Sequence, residues 1–245
     1  MSGIEDTRPA ASVTLAALGP DLHEGLRMAA VLGCRGVQIS AGQPGSRPSD
    51  LSDSGRRDLR AAARRHELTI TGVDGWVRAE DLLDKERVDS ALSATIAAME
   101  LAADLGCLPI SLKLPREEEA SDVVEAIMGT AERIGVAVLD HGVPVLEGEL
   151  PLGVGIDTPS WLAAGEDVLG GVQHAGDRLG AVRLADLSAE GMRTSIGGKG
   201  SRVDVAALMM TARVVGFQGM WLIDARMWND VIGGVRQSLH TIGSF

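Results

Sequence analysis

Lysine is scarce in this chain. Only Lys85, Lys113 and Lys199 carry an ammonium group among 245 residues, so the place of each is informative. From Leu108 to Leu114 the apolar Ile110, Leu112 and Leu114 alternate with Pro109, Ser111 and Lys113, which is the two-residue period of a strand. In a closed sheet the second set faces the interior, with Lys113 near one open end. There it could hold a carboxylate or phosphate, act as a base, or form a Schiff base if desolvation lowers its pKa. The alternative is a lysine that reaches solvent from the strand tip. The run Ser195-Ile196-Gly197-Gly198-Lys199-Gly200-Ser201-Arg202 lets backbone N–H groups approach an anion, with Lys199 or Arg202 adding charge. It reads equally as a plain surface loop. Asp74 and Trp76 close one strand-like run, and Trp161 and Trp228 follow others. These indoles could floor or cover a sugar site, or simply pack. Of the histidines, His23, His66, His174 and His240 fall in helix-like stretches, and His141 alone stands at a strand end. No Ser-His-Asp or Cys-His arrangement can be argued from the spacing.

The elements that must position these residues repeat one unit, a helical stretch ending at Gly followed by a short apolar run. Leu32-Gly33-Cys34 precedes Gly36 to Ser40, Leu105-Gly106-Cys107 precedes Leu108 to Leu114, Ile134-Gly135 precedes Val136 to Asp140, and Val215-Gly216 precedes Gly219 to Asp224. Glycine ends a helix by adopting positive φ, and a continuous apolar run after it reads as a buried parallel strand. The spacing predicts strands near 12–18, 36–40, 68–74, 108–114, 136–140, 153–157, 180–184 and 219–224. It predicts helices near 21–33, 50–66, 86–105, 118–134, 160–177, 203–215 and 229–241, with Ser121 as an N-cap candidate. Between Asp140 and Asp157 there is too little room for a loop, a helix and a strand. Either the fifth helix is lost or very short, or 143–147 is itself a strand. The pattern is an α/β chain of right-handed βαβ units, a (β/α)8 TIM barrel over 12–245 after a disordered tail at 1–11.

Bulk properties narrow the partners. Hydrophobic residues make up 45% and aromatic ones only 2%, with no Tyr, so the core must be aliphatic, which argues against a β-sandwich. A net charge of −11 without a basic stripe excludes nucleic acid and disfavours an anionic membrane surface. A small anion remains admissible where a local Arg or Lys reverses the sign. The N-terminus lacks the charged start and apolar run of a signal peptide, and no stretch approaches a membrane span. Cys34 and Cys107 have no metal-type spacing and read as buried small hydrophobes in a reduced, cytoplasmic setting.

Four motifs, in order from about Val13 to Asp224, resemble the sugar phosphate isomerase/epimerase family of xylose isomerase-like barrels. They are Ala131-Glu132-Arg133-Ile134-Gly135-Val136 before the fifth strand, Leu152-Gly153-Val154-Gly155-Ile156-Asp157 on the sixth, Arg178 to Asp186 on the seventh, and Gly198-Lys199-Gly200 followed by Gly216-Phe217-Gln218-Gly219 before the last. The resemblance implies a divalent metal, such as Mn, Mg or Zn, held by Glu, Asp, His and Glu from strands five to eight. Those positions read Asp140, Asp157, Arg183 and Asp224. Arg183 has no lone pair to donate and stays charged. It is expected to stand where the cation would, so no metal is favoured. Any remaining metal site would use Asp140, Asp157 and Asp224, with His141 in place of the lost imidazole. Strand parity puts Asp224 with Met220 and Leu222, Arg183 with Ala181, and Asp157 with Gly153 and Gly155, on the inward face.

By the same resemblance the chain is an isomerase, epimerase or related lyase moving a proton on a small polyhydroxylated or keto-acid substrate. Asp140 and Asp224 would be the acid–base pair, with Arg183 and Lys113 stabilising oxyanion charge. Gln38 takes the place of an acidic residue on strand two and would bind a hydroxyl. Asp74, Trp76, His141, Asp157, Trp161, Lys199 and Arg202 complete the expected binding set. The alternative is a non-catalytic relative that binds a metabolite or serves in an assembly, a homodimer formed where the missing helix exposes a sheet edge.

Overall fold

The computed structural model describes residues 10–148 and 151–245. The tail expected over 1–11 therefore falls largely outside the described residues, although Ala11 already pairs in the first strand.

Eight parallel strands close a barrel in the order β1-β10-β7-β6-β5-β4-β3-β2. They are β1 (Ala11–Thr14), β2 (Gly36–Ser40), β3 (Thr69–Asp74), β4 (Ile110–Leu112), β5 (Val138–Asp140), β6 (Leu152–Asp157), β7 (Leu179–Leu184) and β10 (Trp221–Ile223). An antiparallel pair, β8 (Asp186–Leu187) with β9 (Arg193–Thr194), projects from the end of β7. The helices are α1 (Leu22–Leu32), α2 (Asp53–Arg65), α3 (Val88–Asp104), α4 (Ser121–Ile134), α5 (Thr158–Ala164), α6 (Val168–Ala175), α7 (Val205–Val214) and α8 (Val231–Ile242). Gly33 and Gly135 end α1 and α4 at φ of 89° and 70°, as their sequence positions require. The single helix expected over 160–177 is two, because Gly165 turns left-handed and Asp167 caps a new start by accepting from the Leu169 amide. Ser121 is not a cap. The acidic run before it already forms a helical turn, Glu118–Ala120, so Ser121 sits inside the helix.

Between β5 and β6 the described residues 141–148 form neither helix nor strand. The lost-helix reading holds, and 143–147 is loop. Val143, Val145 and Leu146 pack onto the core in the helix's place. The loop is fastened by Arg116 Nη2 donating to the Pro144 carbonyl at 2.9 Å and Arg178 Nη1 to that of Leu146 at 2.9 Å. No sheet edge is exposed there, since β5 pairs with both β4 and β6. The reason for expecting a second subunit at that edge is thereby removed.

Cys34 is buried, but Cys107 is exposed. It takes φ of 56° in the turn after α3, which points its thiol out rather than into the core. Among the described residues no helix is long and apolar enough to cross a membrane.

Inside the barrel the inward positions are unusually small. Leu139 overlies Gly153 and Gly180, and Met220 overlies Gly36. Such side chains do not fill the bore as layered branched residues do in many barrels of this class. A space of about 270 Å³ remains toward the amino-terminal ends of the strands, lined by Ser12, Thr71, Gln218 and Leu222, with Gln38 and Ser111 also in its wall.

Candidate functional site

At the carboxyl ends of the strands, carboxylates and guanidinium groups alternate. Arg183, at an inward position of β7, donates from Nη2 to Asp74 Oδ1 at 2.8 Å and to Gln38 Oε1 at 3.3 Å. Arg226, two residues beyond Asp224 in the loop after β10, bridges Asp74 Oδ2 at 2.6 Å and both Asp224 oxygens at 2.7 Å. Arg193, on β9, reaches back to Asp157 at 3.0 Å and Asp224 at 2.8 Å. Thr14 Oγ1 donates to Asp224 Oδ1 at 3.0 Å. Lys113 Nζ donates to Ser160 Oγ at 3.1 Å, and Ser160 in turn donates to Asp157.

These groups surround a cleft of about 440 Å³ that Trp76, Lys113, Ser160, Arg183, Arg193 and Arg226 help to line. Trp76 is 58% exposed at the rim, packed over Gly42, and Arg226 lies 5.3 Å from its ring centre. Five cations (Arg78, Lys113, Arg183, Arg193, Arg226) face four carboxylates (Asp74, Glu80, Asp157, Asp224). The mouth thus carries a local positive excess on a chain whose net charge is −11.

The electrostatics hold Asp157, Asp224, Arg193 and Arg226 ionised. Burial would raise the Asp224 carboxyl, but hydrogen bonds and charge from Arg226, with Arg183 and Arg193, pull it far below the carboxylate range. Asp157 is likewise depressed, with Arg193 outweighing its burial. Burial opposes the charged form of Arg226 and Arg193, yet their aspartates raise both above the ordinary arginine value.

Strand five departs from the expected register. Leu139 points into the bore, so His141, two residues on, is the inward residue, and Asp140 faces away. The His141 ring lies flat on Gly155, where any Cβ would collide with it. Its Nε2 is 3.0 Å from Ser111 Oγ, which also accepts from Gln38 Nε2 at 3.0 Å, while Nδ1 is buried without a hydrogen-bond partner. Burial, reinforced by Arg183, Arg226 and Lys113, keeps this imidazole neutral. Asp140 instead accepts from Arg116 Nη2 at 2.6 Å and from the Leu114 and Gly142 amides, fastening the loops after β4 and β5.

Of the residues expected here, Asp74, Asp157, Arg183, Asp224, Lys113, Gln38 and Trp76 meet at or just beneath the mouth, and His141 joins Gln38 there through Ser111. Four do not. Asp140 is turned outward by parity. Trp161 is buried against Gly171 beneath α6. Lys199 and Arg202 are exposed outside the cleft, because the backbone nest of their loop is filled by the chain's own Asp186. That carboxylate accepts from Ser201 Oγ at 2.5 Å, the Arg202 amide at 2.9 Å and the Val203 amide at 3.2 Å. The sequence reading missed Arg193, Arg226, Arg116 and Ser160. Arg226 was within reach of it, since the alternation Leu222, Asp224, Arg226 continues past the strand end. Arg193 gave no such signal, lying on a hairpin outside the barrel strands.

The donor set does not fit a divalent ion. Asp74, Asp157 and Asp224 are each engaged by guanidinium groups, Arg183 offers no lone pair, and His141 lies a layer below. Among the described residues no group of three or more His, Cys, Asp or Glu side chains is arranged to hold a metal.

No family model matches the chain, and no curated protein does. Among solved structures it is similar to a xylose isomerase domain protein from Planctomyces limnophilus, with a TM-score of 0.77 and 16% identity over 97% of this chain and 96% of that one. It is similar to an apo 3-keto-D-glucoside 4-epimerase from E. coli, with a TM-score of 0.74 and 16% identity over 96% and 98%. A D-psicose 3-epimerase from Clostridium cellulolyticum, solved with D-tagatose, gives a TM-score of 0.71 and 16% identity over 95% and 96%. The architecture of this chain is therefore that of the xylose isomerase-like TIM barrels, with an arginine–aspartate lattice at its mouth.

Proposed function

We propose that the chain is an isomerase- or epimerase-like protein that handles a small polyhydroxylated or keto acid at the barrel mouth without a divalent metal. One observation carries this reading. Three guanidinium groups, fixed by Asp74, Asp157 and Asp224, stand with Lys113 around a cleft of metabolite size. Cations held in place before the ligand arrives need no reorganisation to stabilise an oxyanion. In this reading Arg183 and Arg193 hold the negative charge that develops when a proton leaves the carbon beside a carbonyl. Trp76 covers the apolar face of the ligand. The proton does not travel by an Asp140–Asp224 pair, because Asp140 faces the loops and Asp224 already accepts from Thr14, Arg193 and Arg226. The candidate path is the line Lys113–Ser160–Asp157.

The same saturation favours a second reading, a metabolite-binding protein without turnover, since Asp74, Asp157 and Asp224 are each already engaged by guanidinium groups. One experiment separates the two. A panel of sugar acids, keto acids and their phosphates is screened by calorimetry, and binders are followed by NMR for deuterium uptake from solvent, with and without EDTA. Binding with EDTA-resistant exchange supports the first reading, and binding without exchange supports the second. Stoichiometric divalent metal in the wild-type protein, absent from Asp157→Ala, sinks both. Arg183→His is the complementary variant, restoring a ligand-type side chain where a guanidinium stands.

A further inference from the structure

Among the described residues Lys113 differs from the other cations of the mouth. Arg183, Arg193 and Arg226 each pair with one or two aspartates, whereas Lys113 touches only the neutral hydroxyl of Ser160. Its side chain is exposed to the cleft. Its Nζ thus stands open to the cleft, engaged by a hydroxyl and not by a carboxylate. Such an amine is the usual nucleophile toward carbonyl carbon. The neighbouring cations also suit the partner it would meet, since an anionic group on the same molecule would be drawn to Arg183 and Arg193.

We infer that Lys113 forms a covalent imine with the carbonyl of a small keto acid held in this cleft. The inference rests on the anion-binding part of the function proposed above and adds a bond to it. The step balances without an external reagent. The Nζ lone pair attacks the carbonyl carbon as the C=O π pair moves to oxygen, and that oxygen takes up protons and leaves as water. The product is an iminium carrying the charge of the original ammonium. Ser160, between Nζ and Asp157, is placed to pass a proton between amine and departing oxygen. The iminium is an electron sink beside the carbon that loses its proton, the part a divalent metal would otherwise supply.

The test treats the full chain with pyruvate, hydroxypyruvate or 2-oxoglutarate and sodium cyanoborohydride, followed by intact-mass and peptide mapping. The expected result is one reduced keto-acid adduct at Lys113, with Lys85 and Lys199 unmodified. Lys113→Arg should lose the adduct while calorimetry still detects keto-acid binding. Ser160→Ala, compared at saturating keto acid, should trap about a hundredfold or more slowly, the scale of a lost proton-transfer group. Binding without an adduct, or equal labelling of all three lysines, overturns the imine and leaves the binding reading standing. No binding and no adduct overturns both.

Discussion

Asp224 and Asp140 make an instructive pair. Both lie at the ends of barrel strands, both are buried, and both hold an arginine. Asp224 faces inward and joins two guanidinium groups and Thr14 at the mouth. Asp140 faces outward and, through Arg116, ties down the loop that replaces a helix. One residue of parity decides whether a strand-end carboxylate shapes the candidate site or the scaffold around it.

The comparison breaks first at Asp224. Asp224→Asn leaves Arg226 and Arg193 partly uncompensated in a buried setting, and a loss of about 3–5 kcal/mol is expected in urea unfolding. Ligand affinity should fall with it. If Asp224→Asn unfolds like wild type, the lattice is not what orders the mouth.

Acid sharpens the contrast next. Asp224 and Asp157 have folded-state pKa values below the ordinary 3.8. The stability they confer is therefore present above about pH 4 and is lost as pH falls from there through the folded values. Urea midpoints measured at pH 5 and pH 3 should differ strongly in wild type and clearly less in Asp224→Asn. An unchanged difference would remove Asp224 from the acid response.

Asp140→Asn should be milder, about 1–2 kcal/mol, because Arg116 keeps the Leu114 and Pro144 carbonyls as acceptors and is partly solvated. Keto-acid binding measured by calorimetry should stay within about twofold of wild type, a difference of about 0.4 kcal/mol. A large affinity loss would place Asp140 in the site after all.

Much of the fold was legible because its signals are local. Glycine at helix ends, apolar runs of strand length and the cramped interval between Asp140 and Asp157 each encode one backbone decision. The split between α5 and α6 was written in Gly165 and Asp167 but masked by apolar residues on either side. The site was half legible. Asp157, Arg183 and Asp224 follow from parity along well-bounded strands. The run Val136 to Asp140 has no polar marker to fix its phase, so nothing local distinguishes Asp140 from His141 as the inward residue. Only Leu139 seated on Gly153 and Gly180, neighbours distant in sequence, settles it. Arg193 and Arg226 come from loops, whose paths depend on the barrel they cap.

The hollow bore bears on the strength of the site. Ser111 belongs to the walls of both the upper cleft and the lower space, so a single layer of polar side chains separates them. A floor backed by room for solvent screens charge more than one backed by packed hydrocarbon. The arginines above it thus act in a comparatively forgiving dielectric, which under the function proposed above favours exchangeable capture of the ligand over near-permanent retention.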